Sequence, residues 1–104
     1  MAYYYKAPLF PLGDILCSPG AEALGIDLHR LLRRHQSGDW GEIPYIEDIT
    51  ANDQSIVSGE AILSLYEVVT PAGEPQIVAI MTENDRSLTM VFLSNESPAS
   101  PEIE

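Results

Sequence analysis

The stretch Ala61–Leu93, AILSLYEVVTPAGEPQIVAIMTENDRSLTMVFL, decides the fold because long apolar runs alternate in it with short turn sequences. Pro71-Ala72-Gly73 and residues 83–86 suit tight turns. The runs between them are rich in β-branched, leucine and aromatic residues, which favour strands, and cover residues 61–69, 76–82 and 87–93. The pattern predicts a three-stranded antiparallel meander, whose middle run is apolar on both faces and is therefore expected at the centre of the sheet.

The N-terminal part predicts an extended arm, one more strand and a short helix. Two prolines within residues 7–11 restrict their neighbours to extended backbone, and three consecutive tyrosines precede them, which predicts an extended arm. Residues 12–17 form a short apolar run, which makes them a candidate fourth strand. Ser18 can cap a following helix, and a proline at the first helical position predicts that helix over Pro19–Leu24.

Two further helices are predicted before the meander. Asp27 is a good N-cap for a helix over residues 27–36, whose leucines recur at helical spacing on one face. Ile49 and Ile56 have helical spacing within residues 47–57. The predicted fold class is therefore α+β, in which a small antiparallel sheet, made of the C-terminal meander and a candidate N-terminal strand, packs against two or three short helices.

Length and composition predict one small domain. The 104 residues, 45% of them hydrophobic, suffice for one modest core, which we assign to residues 1–94. Residues 95–104 combine prolines and glutamates with little apolar area, which predicts a flexible acidic tail. Cys17 has no second cysteine to pair with, and no apolar run is long enough for a signal peptide or a membrane span, so we expect a cytoplasmic protein without membrane contact.

Charge is divided unevenly along the chain, whose formal net charge is −11. The basic and acidic side chains of residues 1–40 cancel, whereas residues 41–104 set only Arg86 against twelve carboxylates. Such a surface repels phosphates and attracts cations, which argues against direct nucleic-acid binding and predicts docking on a basic protein surface. The carboxylates predicted to make that contact are Glu42, Glu47, Asp48, Asp53, Glu60, Glu67, Glu74, Glu83 and Asp85.

A second set of polar residues could form a pocket for a ligand or a small enzyme. The stretch 34–41 places an imidazole, a hydroxyl, a carboxylate and an indole close together. A structural interpretation competes with this one, because a histidine can close an apolar helix face and a tryptophan can fold onto the core. Arg86 could likewise bind a ligand or pair with Glu83, Glu47 or Asp53. The full candidate pocket is His35, Asp39, Trp40, Asn52, Asp85 and Arg86.

Metal and cofactor signatures are not recognisable. His29 and His35 are six residues apart, and Cys17 stands alone, so neither provides the spacing of a zinc site. The seven glycines occur singly and form no phosphate-binding loop. The sequence therefore predicts no metal and no cofactor, assigns no catalytic residue and favours a non-enzymatic role.

Four segments of the chain together resemble a known group of proteins. They are Leu31-Leu32-x-Arg34-His35-x-Ser37-Gly38-Asp39-Trp40-Gly41, Ala51-Asn52-Asp53, Ile62-Leu63-Ser64-x-Tyr66 and Thr82-Glu83-x-Asp85-Arg86-Ser87-x-Thr89. The pattern is similar to short uncharacterised proteins labelled plasmid-related, which occur on plasmids, phages and other mobile elements. The resemblance implies a helix-plus-strand domain and a mobile-element setting, and it brings no established activity with it.

Charge and resemblance together favour one functional hypothesis. We expect a small acidic interaction module of a mobile element, an inhibitor that docks on the basic, nucleic-acid-binding surface of a host defence protein. A homodimer through the tyrosine-rich arm or an exposed strand edge is a further hypothesis, because tyrosine favours interfaces and unpaired edges invite pairing.

Overall fold

The apolar runs of the C-terminal half form strands of one sheet in the computed structural model, which describes residues 8–96. Three helices pack on one face of that sheet. Each helix and each meander strand ends within two residues of its predicted ends, so the predicted α+β class is confirmed. The elements are β1 (Asp14–Cys17), α1 (Pro19–Glu22), α2 (Leu28–Gln36), α3 (Ile46–Ser58), β2 (Ile62–Val69), β3 (Pro75–Thr82) and β4 (Leu88–Leu93).

The strand order in the sheet is β1-β4-β3-β2. The last three strands pair antiparallel through short turns, which confirms the predicted meander, and β3 lies inside the sheet as expected. The candidate N-terminal strand is present, but it runs parallel to β4, with Ile15 opposite Thr89 and Cys17 opposite Val91. The sheet is therefore mixed, since chain neighbours joined by tight turns pair antiparallel and a parallel neighbour needs a long connection.

The helix ends follow local capping chemistry. The Ser18 hydroxyl accepts a hydrogen bond from the Ala21 N–H at 3.0 Å, and the Asp27 carboxylate accepts one from the His29 N–H at 3.1 Å. Gly59 ends α3 in the left-handed conformation, at φ +84°, where a glycine meets no steric penalty. These contacts satisfy backbone groups that helix ends leave unpaired, so the helices begin and end where the sequence predicts.

The core lies between the helices and the face of the sheet that they cover, which we call the inner face. Leu31 and Leu32 of α2 pack in one cluster with Tyr66, Val78 and Ile80 of the inner face. Burial of each such large side chain contributes about 1.5–3 kcal/mol. A second cluster on the same side joins Phe10, Trp40 and Ile62.

The outer edge of β2 is covered by neighbouring backbone and by one side chain. Gly41 forms a parallel bridge to Leu65, whose N–H donates to the Trp40 carbonyl at 3.1 Å and whose carbonyl accepts from the Glu42 N–H at 2.7 Å. The Asn52 side chain donates to the Leu63 carbonyl at 2.6 Å and accepts from the Leu63 N–H at 3.2 Å. This edge is thereby protected from pairing with a foreign strand.

Replacing Gly41 with alanine is expected to cost about 2–4 kcal/mol of unfolding free energy. Gly41 has φ +80°, and an added Cβ would overlap the Leu65 carbonyl, so both backbone hydrogen bonds of the bridge would have to shift. The control is Gly59→Ala, because Gly59 has a similar φ of +84° with no atom within 4 Å of an added Cβ. Urea denaturation measures both, and equal losses would contradict the close approach at Gly41.

The two chain ends lie largely outside the described residues. This holds for residues 1–7, which form most of the predicted arm, and for residues 97–104 of the predicted tail. Glu96 is the last described residue, and its carboxylate is hydrogen-bonded to the domain. It accepts hydrogen bonds from the Ser18 hydroxyl at 2.7 Å and from the Leu93 N–H at 2.8 Å. The hydrogen bond from Ser18, followed by that from the Leu93 backbone, lowers the pKa of Glu96.

The described helices are short relative to the thickness of a bilayer. The longest described helix, α3, has 13 residues, whereas a membrane-spanning helix needs about 20 apolar residues. Within residues 8–96, no helix combines the length and the apolarity needed to cross a membrane.

Candidate functional site

The nine predicted contact carboxylates occupy the α3–β2 side of the molecule and two turns. Two lie in the first turn of α3, one further along α3, and three beside or within β2. Eight are exposed, and Glu83 is half-buried. Those of the α3–β2 side are Glu42, Glu47, Asp48, Asp53, Glu60 and Glu67, whereas Glu74 lies in the β2–β3 turn and Glu83 and Asp85 in the β3–β4 turn.

Three of these carboxylates also hold the fold together. Glu42 accepts a hydrogen bond from the Glu67 N–H at 2.7 Å, and Asp53 accepts one from the Trp40 indole at 2.9 Å. Asp85 accepts from the Ser87 N–H and hydroxyl, at 3.0 and 2.6 Å, and these bonds lower its pKa. The remaining six have no side-chain hydrogen bond among those described, so their charge faces solvent.

The described arginines do not neutralise the nine carboxylates. Arg34 forms a salt bridge with Asp39, at 2.7 Å between Nε and Oδ2, and Asp39 is not one of the nine. None of the nine forms a salt bridge with an arginine within residues 8–96. Negative charge on the α3–β2 side is therefore left uncompensated by this part of the chain.

Arg86 binds backbone carbonyls and not the carboxylates that the sequence offered as partners. Its guanidinium donates to three backbone carbonyls, those of Glu60 at 2.7 Å, Glu83 at 3.1 Å and Ser55 at 2.7 Å. Arg86 thereby links the β3–β4 turn to α3, but carbonyl oxygens at the C-terminal end of α3 and in the loop after it replace the predicted carboxylates. The Ser55 carbonyl also accepts the Gly59 N–H at 2.9 Å, and the negative end of the helix dipole favours a cation near the last turn of α3.

Part of the candidate pocket does converge, but a phenylalanine fills it. The Phe10 ring lies 5.2 Å from the His35 ring and 6.3 Å from the Trp40 ring, between centroids. The Arg86 guanidinium carbon is 5.5 Å from the same Phe10 centroid. Phe10 is 5% exposed and Trp40 is 5% exposed, so these side chains form a packed cluster in which no space is left for a ligand.

The other candidate pocket residues lie elsewhere. Asp39 pairs with Arg34 on the surface, Asn52 binds the edge of β2, and Asp85 binds its own turn. The structural interpretation therefore accounts for each residue of the set. One cleft of about 260 Å³ contains none of them; it lies beside α2 and is lined by Ile26, Asp27, Arg30, Leu31, Arg34 and Val68.

His35 is the best-defined polar group of the core, and its hydrogen bonds fix its tautomer. The Thr89 hydroxyl donates to the Leu12 carbonyl at 2.7 Å, so in its 2.8 Å contact with Thr82 it must accept. Thr82 thereby uses its only hydrogen and has to accept from His35 Nε2, at 2.9 Å. His35 Nδ1, 2.6 Å from the Ser64 hydroxyl, is then the acceptor in the neutral ring.

Burial keeps this imidazole neutral. His35 is fully buried, and the loss of hydration, followed by the nearby positive charge of Arg86, lowers its pKa from 6.5 to about 3. A ring that is neutral, enclosed and hydrogen-bonded at both nitrogens is not available as a general base toward solvent. Within residues 8–96, no three histidine, cysteine or acidic side chains gather into a group that could hold a metal ion.

Sequence reasoning missed the second face of the sheet, which we call the outer face. Its centre is a cluster made of strand residues alone: Leu65, Ala79, Met81, Leu88, Met90 and Phe92. No described helix contributes to this cluster, in contrast to both clusters on the inner face. The signal was present, since β3 and β4 are apolar at consecutive positions and so carry apolar side chains on both faces.

A family assignment would allow functional residues to be carried over from relatives. Without one, the resemblance to plasmid-related proteins stays a prediction, and a proposal of function rests on the contacts within this chain. Comparisons of the chain with protein-family models, with curated proteins and with solved structures find no match.

Proposed function

We propose that the protein is a small acidic interaction module that binds a basic protein surface through its α3–β2 side. The observation that carries the proposal is the uncompensated charge of the nine carboxylates, none of which forms a salt bridge with an arginine in residues 8–96. Arg86, the single cation of the acidic half, instead donates to backbone carbonyls. The negative potential is thus available to a partner.

This arrangement attracts an oppositely charged partner electrostatically before the two surfaces touch. Exposed charges act over about 8 Å at physiological ionic strength, so the exposed carboxylates of α3 and those beside β2 extend a negative potential beyond the surface there. Opposite potentials accelerate association and make its rate depend steeply on salt. A basic partner surface is therefore the complement that this side favours.

The partner we propose is a nucleic-acid-binding surface of a host defence protein, reached in the cytoplasm. Such surfaces are basic because they neutralise phosphates, and an acidic module that covers one competes with nucleic acid. The resemblance to plasmid-related proteins supports this choice, since mobile elements benefit from inhibitors of host defence.

Capture and displacement test the proposal together. The tagged protein is incubated with a bacterial lysate at low salt, partners are released at high salt, and each purified partner is tested for displacement of labelled duplex DNA. The variant Glu47→Gln/Glu60→Gln is expected to bind the partner about tenfold more weakly, because each exposed charge pair contributes about 0.5–1 kcal/mol.

The matched control is Asp14→Asn/Glu22→Gln. It removes the same net charge, and Glu22 occupies the first turn of α1 as Glu47 occupies that of α3. This control is expected to bind as the wild-type protein does. Equal weakening by both double variants, or binding that is indifferent to ionic strength, would count against a role for the α3–β2 side.

A further inference from the structure

The far side of β1 is the edge of the sheet that the described residues leave open. In the strand order β1-β4-β3-β2 the two outer strands are β1 and β2, and Gly41 and Asn52 cover the β2 edge. Within residues 8–96, no strand and no isolated bridge pairs with the far side of β1. An open edge presents backbone donors and acceptors to another strand, so β1 is a candidate site of association.

The hydrogen bonds to β4 show which backbone groups of β1 point outward. The N–H groups of Asp14 and Ser18 donate to carbonyls of the β4 segment, at 3.0 and 2.8 Å. Because alternate residues of a strand bond to the same neighbour, Leu16 also faces β4. The N–H and carbonyl groups of Ile15 and Cys17 therefore point away from β4, toward the open side.

The side chains of β1 are apolar and accessible at this edge. Ile15 is 44% exposed and Leu16 is 37% exposed. Register places Ile15 beside Thr89 on the inner face and Leu16 beside Met90 on the outer face, so each face of the edge carries one accessible apolar side chain. Asp14 is the single charged residue of β1, in a chain with a net charge of −11. The edge therefore suits an uncharged apolar strand and not the basic partner proposed for the α3–β2 side.

A second copy of β1 is such a strand, and it fits in one register. Two identical edge strands related by a two-fold axis perpendicular to the sheet run antiparallel. With the axis at Leu16, Ile15 of each copy lies opposite Cys17 of the other copy, and each of these two pairs exchanges two N–H···O bonds. All outward backbone groups of both residues are then bonded. The two Leu16 side chains meet across the axis, with Cβ atoms roughly 4.5–5.5 Å apart.

We propose that two copies of this chain join their β1 edges, antiparallel around Leu16, into one continuous sheet of eight strands. Asp14 of each copy lies opposite Ser18 of the other in this register. The two Asp14 carboxylates are thus about 14 Å apart by strand rise and spacing, beyond the screening length of about 8 Å. The α3–β2 sides lie at the two far ends of the joined sheet, so the dimer is independent of the proposed function.

Sedimentation equilibrium of the full chain tests the dimer. The wild-type protein is expected to reach twice the 11.4 kDa chain mass in the micromolar range. Added salt is expected to tighten the dimer, because it screens the repulsion between two chains of net charge −11, whereas it weakens the binding of a basic partner. A wild-type protein that stays monomeric up to about 100 µM at high salt would overturn the proposal.

Two substitutions in β1 are expected to raise the dimer dissociation constant at least tenfold. Ile15→Pro removes an outward N–H at a position where an edge strand tolerates proline, and Leu16→Lys places two like charges across the axis. The control is Val69→Lys, since Val69 is 66% exposed at the end of β2, and it is expected to leave the dimer unchanged. Circular dichroism confirms that each variant is folded. A dimer that both β1 variants leave intact would place the contact on another surface.

Disulfide trapping tests the register. The variant Leu16→Cys/Cys17→Ser places one thiol of each copy at the two-fold axis, where the Cβ separation approaches that of a disulfide. The matched control is Ile15→Cys/Cys17→Ser, because Ile15 is similarly exposed but lies opposite residue 17. With oxidised glutathione, the thiol at position 16 is expected to form the covalent dimer at least tenfold faster, as measured by non-reducing electrophoresis. Equal rates would overturn the pairing around Leu16.

Discussion

Replacing His35 with alanine is expected to lower the unfolding free energy by about 3–5 kcal/mol at pH 7. The substitution removes a fully buried side chain and leaves a cavity under Phe10 and Trp40. It also leaves the Ser64 and Thr82 hydroxyls without their imidazole partner in the core, and an unsatisfied buried polar group costs about 1–3 kcal/mol. Urea denaturation followed by circular dichroism measures the loss.

The loss of unfolding free energy caused by His35→Ala is expected to be smaller at acidic pH than at pH 7. The unfolded chain binds a proton on this histidine below about pH 6.5, whereas the folded protein resists it until about pH 3. The wild-type protein therefore keeps its full stability above pH 6.5 and loses about 1.4 kcal/mol per pH unit as the pH falls toward 3. His35→Ala lacks this dependence, so the difference between the two proteins is expected to be about 2 kcal/mol smaller at pH 5.

The control is His29→Ala, because His29 lies on the same helix, is exposed, and contributes only its backbone N–H to the cap of α2. It is expected to change stability by less than about 0.5 kcal/mol at either pH. If His35→Ala were no more damaging than His29→Ala, or if its loss were the same at pH 7 and pH 5, the buried neutral imidazole would be refuted.

Replacing Arg86 with alanine is expected to cost about 2–4 kcal/mol. Arg86 joins three segments through the carbonyls of Ser55, Glu60 and Glu83, and hydrogen bonds from a charged donor contribute about 1.5–3 kcal/mol each before strain and exposure reduce the sum. Its guanidinium also lies over the Phe10 ring, where a cation adds a further favourable contact. Thermal and urea unfolding measure the effect.

Two more variants distinguish the contribution of the Arg86 side chain to stability from that of its backbone conformation. Arg86 has φ +60°, the one described non-glycine residue with a positive φ, so Arg86→Gly is expected to be about 1 kcal/mol less damaging than Arg86→Ala. Arg30→Ala removes an exposed arginine from α2 and is expected to be nearly neutral. Equal stabilities of Arg86→Ala and Arg30→Ala would show that the three carbonyl contacts do not hold the turn to α3.

Local chemistry made much of the fold predictable. Ser18, Asp27 and Gly59 define helix ends through contacts within four residues of themselves, which is the range that a sequence pattern reports. The turns at residues 70–74 and 83–87 fix the meander in the same way, because a tight turn makes the two strands that it joins pair antiparallel.

Contacts between distant residues could not be predicted. The parallel pairing of β1 with β4 is supported by Thr89 and Leu12, which are 77 residues apart in the chain, and no local pattern specifies such a partner. Arg86 was placed correctly near α3, but its carbonyl acceptors carry no sequence signature because every residue has a carbonyl. The packing of Phe10 on His35 and Trp40 was unpredictable for a related reason, since nothing near His35 in the chain indicates Phe10 as its neighbour.

The closure of one sheet edge has a consequence for how this protein can aggregate. Fibre growth by strand addition needs two open edges on each molecule, one to receive a strand and one to offer it. Asn52 and the bridge at Gly41 occupy the β2 edge, and the remaining edge, β1, is only four residues long. Strand addition between folded copies can therefore join two molecules through their β1 edges and then stops, so continued polymerisation requires both Asn52 and the Gly41 bridge to detach from β2 first.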